Sequence, residues 1–105
     1  MRTFLRCVAA LVALLTACVN THVGREFQSP RELHGAFAGF APIGTFDVAY
    51  PARVVEIVEA TGTLQFVHGH TPHRYEFPTP VALRAVVVEH GGGRGVLVLR
   101  GEPGE

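Results

Sequence analysis

Apolar residues fall into three kinds of run along this chain. From Cys7 to Leu15 they are nearly continuous and carry no charge (Cys-Val-Ala-Ala-Leu-Val-Ala-Leu-Leu). Between Leu33 and Phe40 they recur as Leu33, Ala36, Phe37 and Phe40, at i, i+3, i+4 and i+7, the spacing of one helical face. From Thr45 onward they form short β-branched and aromatic runs cut at close intervals by Gly, Pro and Thr, the pattern of strands joined by turns.

The helical stripe has a start and a stop. Ser29-Pro30-Arg31-Glu32 is a capping-box pattern with proline in the first helical position. The Ser29 hydroxyl can accept from the Glu32 N–H, and the Glu32 carboxylate can reach back to the N–H of Ser29. Gly39 and Pro42 end the segment, so a helix is predicted from Pro30 to Ala38 or Gly39. A helix this short is not stable alone in water and must dock its Leu33/Phe37/Phe40 face.

A sheet is the expected partner. Strands are predicted at 45–50, 53–60, 63–68, 73–77, 82–89 and 95–100. The stretch 52–60 would also suit a helix after Pro51, but the β-branched Val54, Val55, Ile57 and Val58 favour a strand. Val86-Val87-Val88 is apolar on both faces, which places 82–89 centrally in the sheet. With Gly69-His70-Thr71-Pro72 as a four-residue loop, the flanking strands pair His68 with His73, Phe66 with Tyr75 and Leu64 with Phe77. The glycines of Gly91-Gly92-Gly93-Arg94-Gly95 permit several loop lengths in a second hairpin, and the pattern does not choose among them. The expected fold class is therefore α+β, one short N-terminal helix packed on a small antiparallel β-meander of five or six strands.

Charge and cysteine content sharpen the reading of the N-terminus. Arg2 and Arg6 precede the apolar run, and Leu15-Thr16-Ala17-Cys18 follows it. A run of this length is too short to cross a bilayer, which takes ~20 residues. A basic start, a short apolar core and small residues at the end are the build of a secretory signal. With cysteine next in the chain, Leu15-Thr16-Ala17-Cys18 resembles the lipobox of bacterial lipoproteins. The resemblance implies diacylglycerol on the Cys18 thiol and cleavage just before it. It also implies sorting by the next residue: Val19, rather than an aspartate, points to the outer membrane in a proteobacterium. A Gram-positive cell would keep the protein on the outer face of its plasma membrane. An ordinary signal cut after Ala17, leaving a free thiol, is the rival. The organisation expected is a signal over 1–17, a lipidated cysteine and tether over 18–28, and a single domain over 29–105. Cys7 would then leave with the signal and Cys18 carry lipid, so no thiol would remain for a disulfide or a nucleophile. From Cys18 onward there are seven arginines, no lysine and nine acids, which gives no basic field for nucleic acid.

Candidate chemistry centres on His68-Gly69-His70-Thr71-Pro72-His73. In the four-residue-loop register His68 and His73 face each other, with Cβ atoms about 5 Å apart. His70 at the loop tip could swing in as a third ligand. Three neutral imidazoles suit Zn²⁺ or Cu²⁺, with water, His90 or a carboxylate in fourth place. The bland alternative is a set of polar residues at the end of a sheet, and no CxxC or HExxH spacing supports the metal. The glycine run lacks the Lys-Ser/Thr of a phosphate loop. Asp47, Glu56, Glu59, Glu76 and Glu89 are scattered as solvent-facing strand positions are, and no Ser-His-Asp or nucleophile-elbow pattern occurs. The expectation is a non-enzymatic cell-envelope lipoprotein without a required cofactor, acting as a binding or assembly module. It would meet the membrane through Cys18 and an envelope protein as partner. Metal binding or sensing at His68, His70 and His73 is the second reading.

Overall fold

Residues 82–90 carry the unbroken run Val86-Val87-Val88, and in the computed structural model of the chain, which describes residues 22–102, they form the middle strand of a sheet. The elements in chain order are β1 (Glu26–Phe27), α1 (Pro30–Gly35), β2 (Phe40–Phe46), β3 (Ala52–Thr61), β4 (Thr63–His68), β5 (Thr71–Glu76), β6 (Ala82–His90) and β7 (Gly93–Gly101). Five strands make one antiparallel sheet in the order β1-β3-β6-β7-β2, curled into a half-barrel. The β4–β5 hairpin is a second, two-stranded sheet.

Side chains alternate across the central strands, and both faces are apolar. On β6 and β7, Val86, Val88, Leu97 and Leu99 point one way and join Phe27, Leu33, Ala52 and Val54 in one buried cluster. Leu83, Ala85, Val96 and Val98 point the other way and join Leu64 of the hairpin in a second. Each such side chain fully removed from water contributes about 1.5–3 kcal/mol. The central position expected for 82–89 is explained by this two-sided burial. Residues 52–61 are a strand, as their β-branching predicts.

The α+β expectation is corrected. About 60% of the described residues are strand and 7% helix, so the fold is β-rich, with seven strands in two sheets instead of five or six in one. The only helix among the described residues is six residues long. Its start is as expected: Ser29 is the N-cap, its Oγ accepts from the Glu32 N–H at 3.2 Å, and Pro30 opens the helix. The reciprocal bond from Ser29 N–H to the Glu32 carboxylate is not formed among the described residues. The helix stops at Gly35 with Ala36 as C-cap, short of the predicted 38 or 39. Phe40 instead begins β2, opposite Gly101, so β2 lies at 40–46 and not at 45–50. The i, i+3, i+4, i+7 spacing misled because one helical turn followed by a strand also aims these residues at one core. Leu33 is buried, and Ala36, Phe37 and Phe40 pack against the same cluster.

The domain also begins earlier than the boundary at 29. Phe27 is 1% exposed, and Glu26 and Phe27 pair with Arg53 and Ala52, so part of the expected tether over 18–28 is a strand. A two-residue strand has no period to betray it. Cys18, the lipobox and the signal over 1–17 lie outside the described residues. Among the described residues no helix is long and apolar enough to cross a membrane.

One glycine routes the chain from sheet to hairpin. Gly62 stands alone between β3 and β4 with φ +77°, a conformation side chains rarely adopt. Its N–H donates to the Val81 carbonyl at 2.8 Å, and its carbonyl accepts from the Phe77 N–H at 2.9 Å. Both ends of the hairpin are thereby fixed over the sheet.

Candidate functional site

The hairpin forms where predicted but with a different turn. Gly69-His70 is the whole loop, and the register pairs Leu64 with Tyr75, Phe66 with His73, Val67 with Pro72 and His68 with Thr71. Gly69 has φ +64°, which suits glycine at the first position of a two-residue hairpin turn. Pro72 sits one step beyond the closing pair. Hydrogen-bonded and non-hydrogen-bonded pairs alternate, so a proline there lacks only an N–H that would point away from β4. A shift of two residues keeps every side chain on its face while changing its partner.

That shift undoes the metal geometry built on His68, His70 and His73. His73 lies opposite Phe66 and stacks on it, with centroids 5.1 Å apart, and its ring is 4.3 Å from that of Phe46. Phe66 and Tyr75, expected as direct partners, are diagonal neighbours with near-parallel rings 6.3 Å apart. His70 is exposed in the turn. His68 turns to Asp47, its Nε2 2.6 Å from Oδ2. Among the described residues no group of three or more His, Cys, Asp or Glu is placed to hold a metal ion.

What gathers at this end of the molecule is a polar clasp around Asp47. This residue ends the run of β2 with φ +52°, a left-handed conformation that aspartate tolerates better than most side chains. Its carboxylate meets His68 of β4, and its backbone carbonyl accepts from His90 Nε2 at 2.6 Å. His90 Nδ1 in turn accepts from the Gly92 N–H at 3.1 Å. The two contacts assign His90 the neutral tautomer with its proton on Nε2, since Nδ1 faces a donor and Nε2 an acceptor. Gly95 makes room for this arrangement: a Cβ there would lie 2.7 Å from the Phe46 carbonyl oxygen and closer still to that of Asp47. Gly44 does the same for the Tyr75 hydroxyl, which a Cβ would strike. Three elements, β2, the hairpin and the β6–β7 turn, are thus joined through one side chain and its backbone.

Beside the clasp a cleft of about 740 Å³ opens between hairpin and sheet. Its floor and one wall are apolar, formed by Val58, Phe66, Ala85, Val87 and Val96. Its rim carries Asp47, His68, Glu56, Gln65 and Arg94. Arg94 is held by Glu89, with N–O distances of 3.1 and 3.3 Å. Val67, also on the rim, is 67% exposed, more than any other large apolar side chain among the described residues. Concave, with an apolar floor and charged and polar groups at its mouth, it has the elements of a small-molecule site.

Sequence reasoning named His68 and Asp47 but not their pairing, and it offered His90 only as a spare ligand. The available signal was the position of Asp47, the one aspartate in the chain, where the apolar run of β2 ends. In comparisons with known proteins, the chain matches no family model, no curated protein and no solved structure.

Proposed function

We propose that this chain is a small cell-envelope lipoprotein, tethered through lipid on Cys18, whose β-rich domain is a non-catalytic binding module. The cleft over Val87 and Val96 is its binding surface. Leu15-Thr16-Ala17-Cys18 behind a basic, apolar segment supports the anchor. Val19 favours the outer membrane in a Gram-negative cell, and the outer face of the plasma membrane is the alternative in a Gram-positive one. One observation carries the binding role. Val58, Phe66 and Val87 are only partly buried and Val67 is bare at the rim, in a domain whose core side chains are at most 4% exposed. These partly exposed apolar side chains line one concavity with polar groups at its mouth, an arrangement that supports a binding surface. At the mouth Asp47 is tied to His68, Arg94 is held by Glu89 from outside the lining, and Glu56 has no ion-pair partner among the described residues and is left to meet a ligand. The expected neighbour is an envelope component presented at the same membrane.

The anchor is tested by metabolic labelling with a fatty-acid probe. Wild type should be labelled and sediment with membranes, because two or three acyl chains hold a protein durably where one does not. Cys18→Ser should lose both properties. Equal labelling of the two proteins overturns the proposal.

A further inference from the structure

The ligand class of the cleft can be narrowed from its charges. Two carboxylates, Asp47 and Glu56, and one guanidinium, Arg94, belong to its lining. Arg94 already gives its charge to Glu89, which stands outside the lining. Asp47 is bonded to His68, which can offset the charge of Asp47 and nothing more. Glu56 has no ion-pair partner among the described residues. Its position is set by the β3–β6 register: it lies opposite Val87, in the same row as Val96, so strand alternation directs it to the face that makes the floor. Arg53, in the next row opposite Glu89, is not part of the lining.

We infer that the cleft takes a small organic cation with an apolar body, such as a protonated amine on a ring or short chain, with Glu56 receiving the charge. The inference rests on reading the domain as a binding module and deepens it. The volume, about 740 Å³, lies within the ~300–1,000 Å³ of small-molecule sites. An apolar body covers Val58 and Val87, which are only partly buried, and removes their remaining exposed surface from water. An anion of the same shape meets Glu56 and Asp47 with the sole guanidinium of the lining already engaged, and is rejected by like charge.

Three probes of one shape and three charges test this: benzylammonium, benzyl alcohol and benzoate. Each is titrated into the full chain, ¹³C-methyl-labelled at valine and held in phosphatidylcholine nanodiscs, with empty nanodiscs as blank. Benzylammonium should give saturable shifts at the methyls of Val58, Val67, Val87 and Val96, and benzoate should bind about tenfold more weakly or not at all. Glu56→Gln, an exposed substitution that leaves the floor intact, should reduce the preference for benzylammonium over benzyl alcohol about threefold, as expected for an ion pair near the surface. Benzoate binding as well as benzylammonium, a preference unchanged in Glu56→Gln, or no saturable shift with any probe overturns the inference. Fatty-acid labelling of Cys18 reports on the anchor independently, so failure at the cleft and failure of the lipoprotein assignment are told apart.

Discussion

The two faces of the five-stranded sheet are made by alternate residues of the same strands, yet they are closed in different ways. On one face Phe27, Leu33, Ala52 and Val54 meet Val86, Val88, Leu97 and Leu99, and all eight are at most 1% exposed. Tyr50 packs against that cluster, and its burial raises the phenol above its ordinary pKa of 10.0 by desolvation. The other face is covered by the β4–β5 hairpin, where Leu64 is buried but Phe66, Tyr75 and, just beyond β5, Phe77 are only partly buried. Its open end is joined by hydrogen bonds at Asp47 and leaves a cleft. Short, locally connected segments close one face, β1 by pairing with β3 and α1 by packing. A lid attached at both ends covers the other incompletely, and the incompletely covered face is the one proposed to bind. On the proposed reading, stability and recognition are divided between two sides of one sheet.

The largest effect should come from the sealed face. Phe27→Ala removes a ring that is 1% exposed and should destabilise the protein by about 3–5 kcal/mol in urea unfolding. Phe66→Ala, at a partly buried position beside solvent, should cost about half as much, because water already reaches the site. Equal losses would mean that the hairpin face is as closed as the other, and the comparison would fail.

Gly95→Ala acts on the clasp from beneath. The added methyl meets the backbone of Phe46 and Asp47, which cannot swing aside as the tip of a side chain can. Overpacking of this kind costs about 1–3 kcal/mol. It should also displace Asp47 from His68 and His90, and this is read as shifts of both imidazole ring protons in NMR spectra. An alanine variant with wild-type stability and unmoved histidine signals would show that the clasp does not depend on this close approach.

Much of the sheet was legible in the sequence because β-branching and two-sided apolarity are local signals. Val54, Val55, Ile57 and Val58 gave β3, Val86-Val87-Val88 gave the central strand, and Ser29 gave the helix cap. What stayed hidden depended on contacts distant in sequence. Asp47 and His68 are 21 residues apart, Asp47 and His90 are 43, and no spacing rule joins them. Their meeting follows from the folding of the hairpin back over the sheet, which sets His68 beside the end of β2. The turn was misjudged for a different reason. Thr71-Pro72 reads as loop because proline interrupts ladders, but β5 has only one hydrogen-bonded neighbour, and an outward proline there interrupts nothing. Of the three histidines expected to act together, only His68 reaches Asp47, while His73 stacks on Phe66 and His70 is exposed in the turn. Their partners were the part a sequence does not display.

The smallest effect separates the two contributions of Asp47. At φ +52° the backbone is in a region that asparagine visits readily and alanine does not, at a difference of about 1 kcal/mol. Asp47→Asn keeps that conformation, the backbone acceptor for His90 and an oxygen for His68, and loses only the charge. Because Asp47 is 77% exposed, solvent screens that charge, and the loss in stability should be smaller than the backbone term. Asp47→Ala loses the side-chain acceptor and meets the backbone penalty as well, so it should be the less stable of the two by about 1 kcal/mol. Equal stability of the two variants would show that the left-handed turn is not selected by its residue. If both also left the His68 ring protons unmoved, the hairpin would be held by packing alone, and the contrast between a sealed face and a clasped one would disappear.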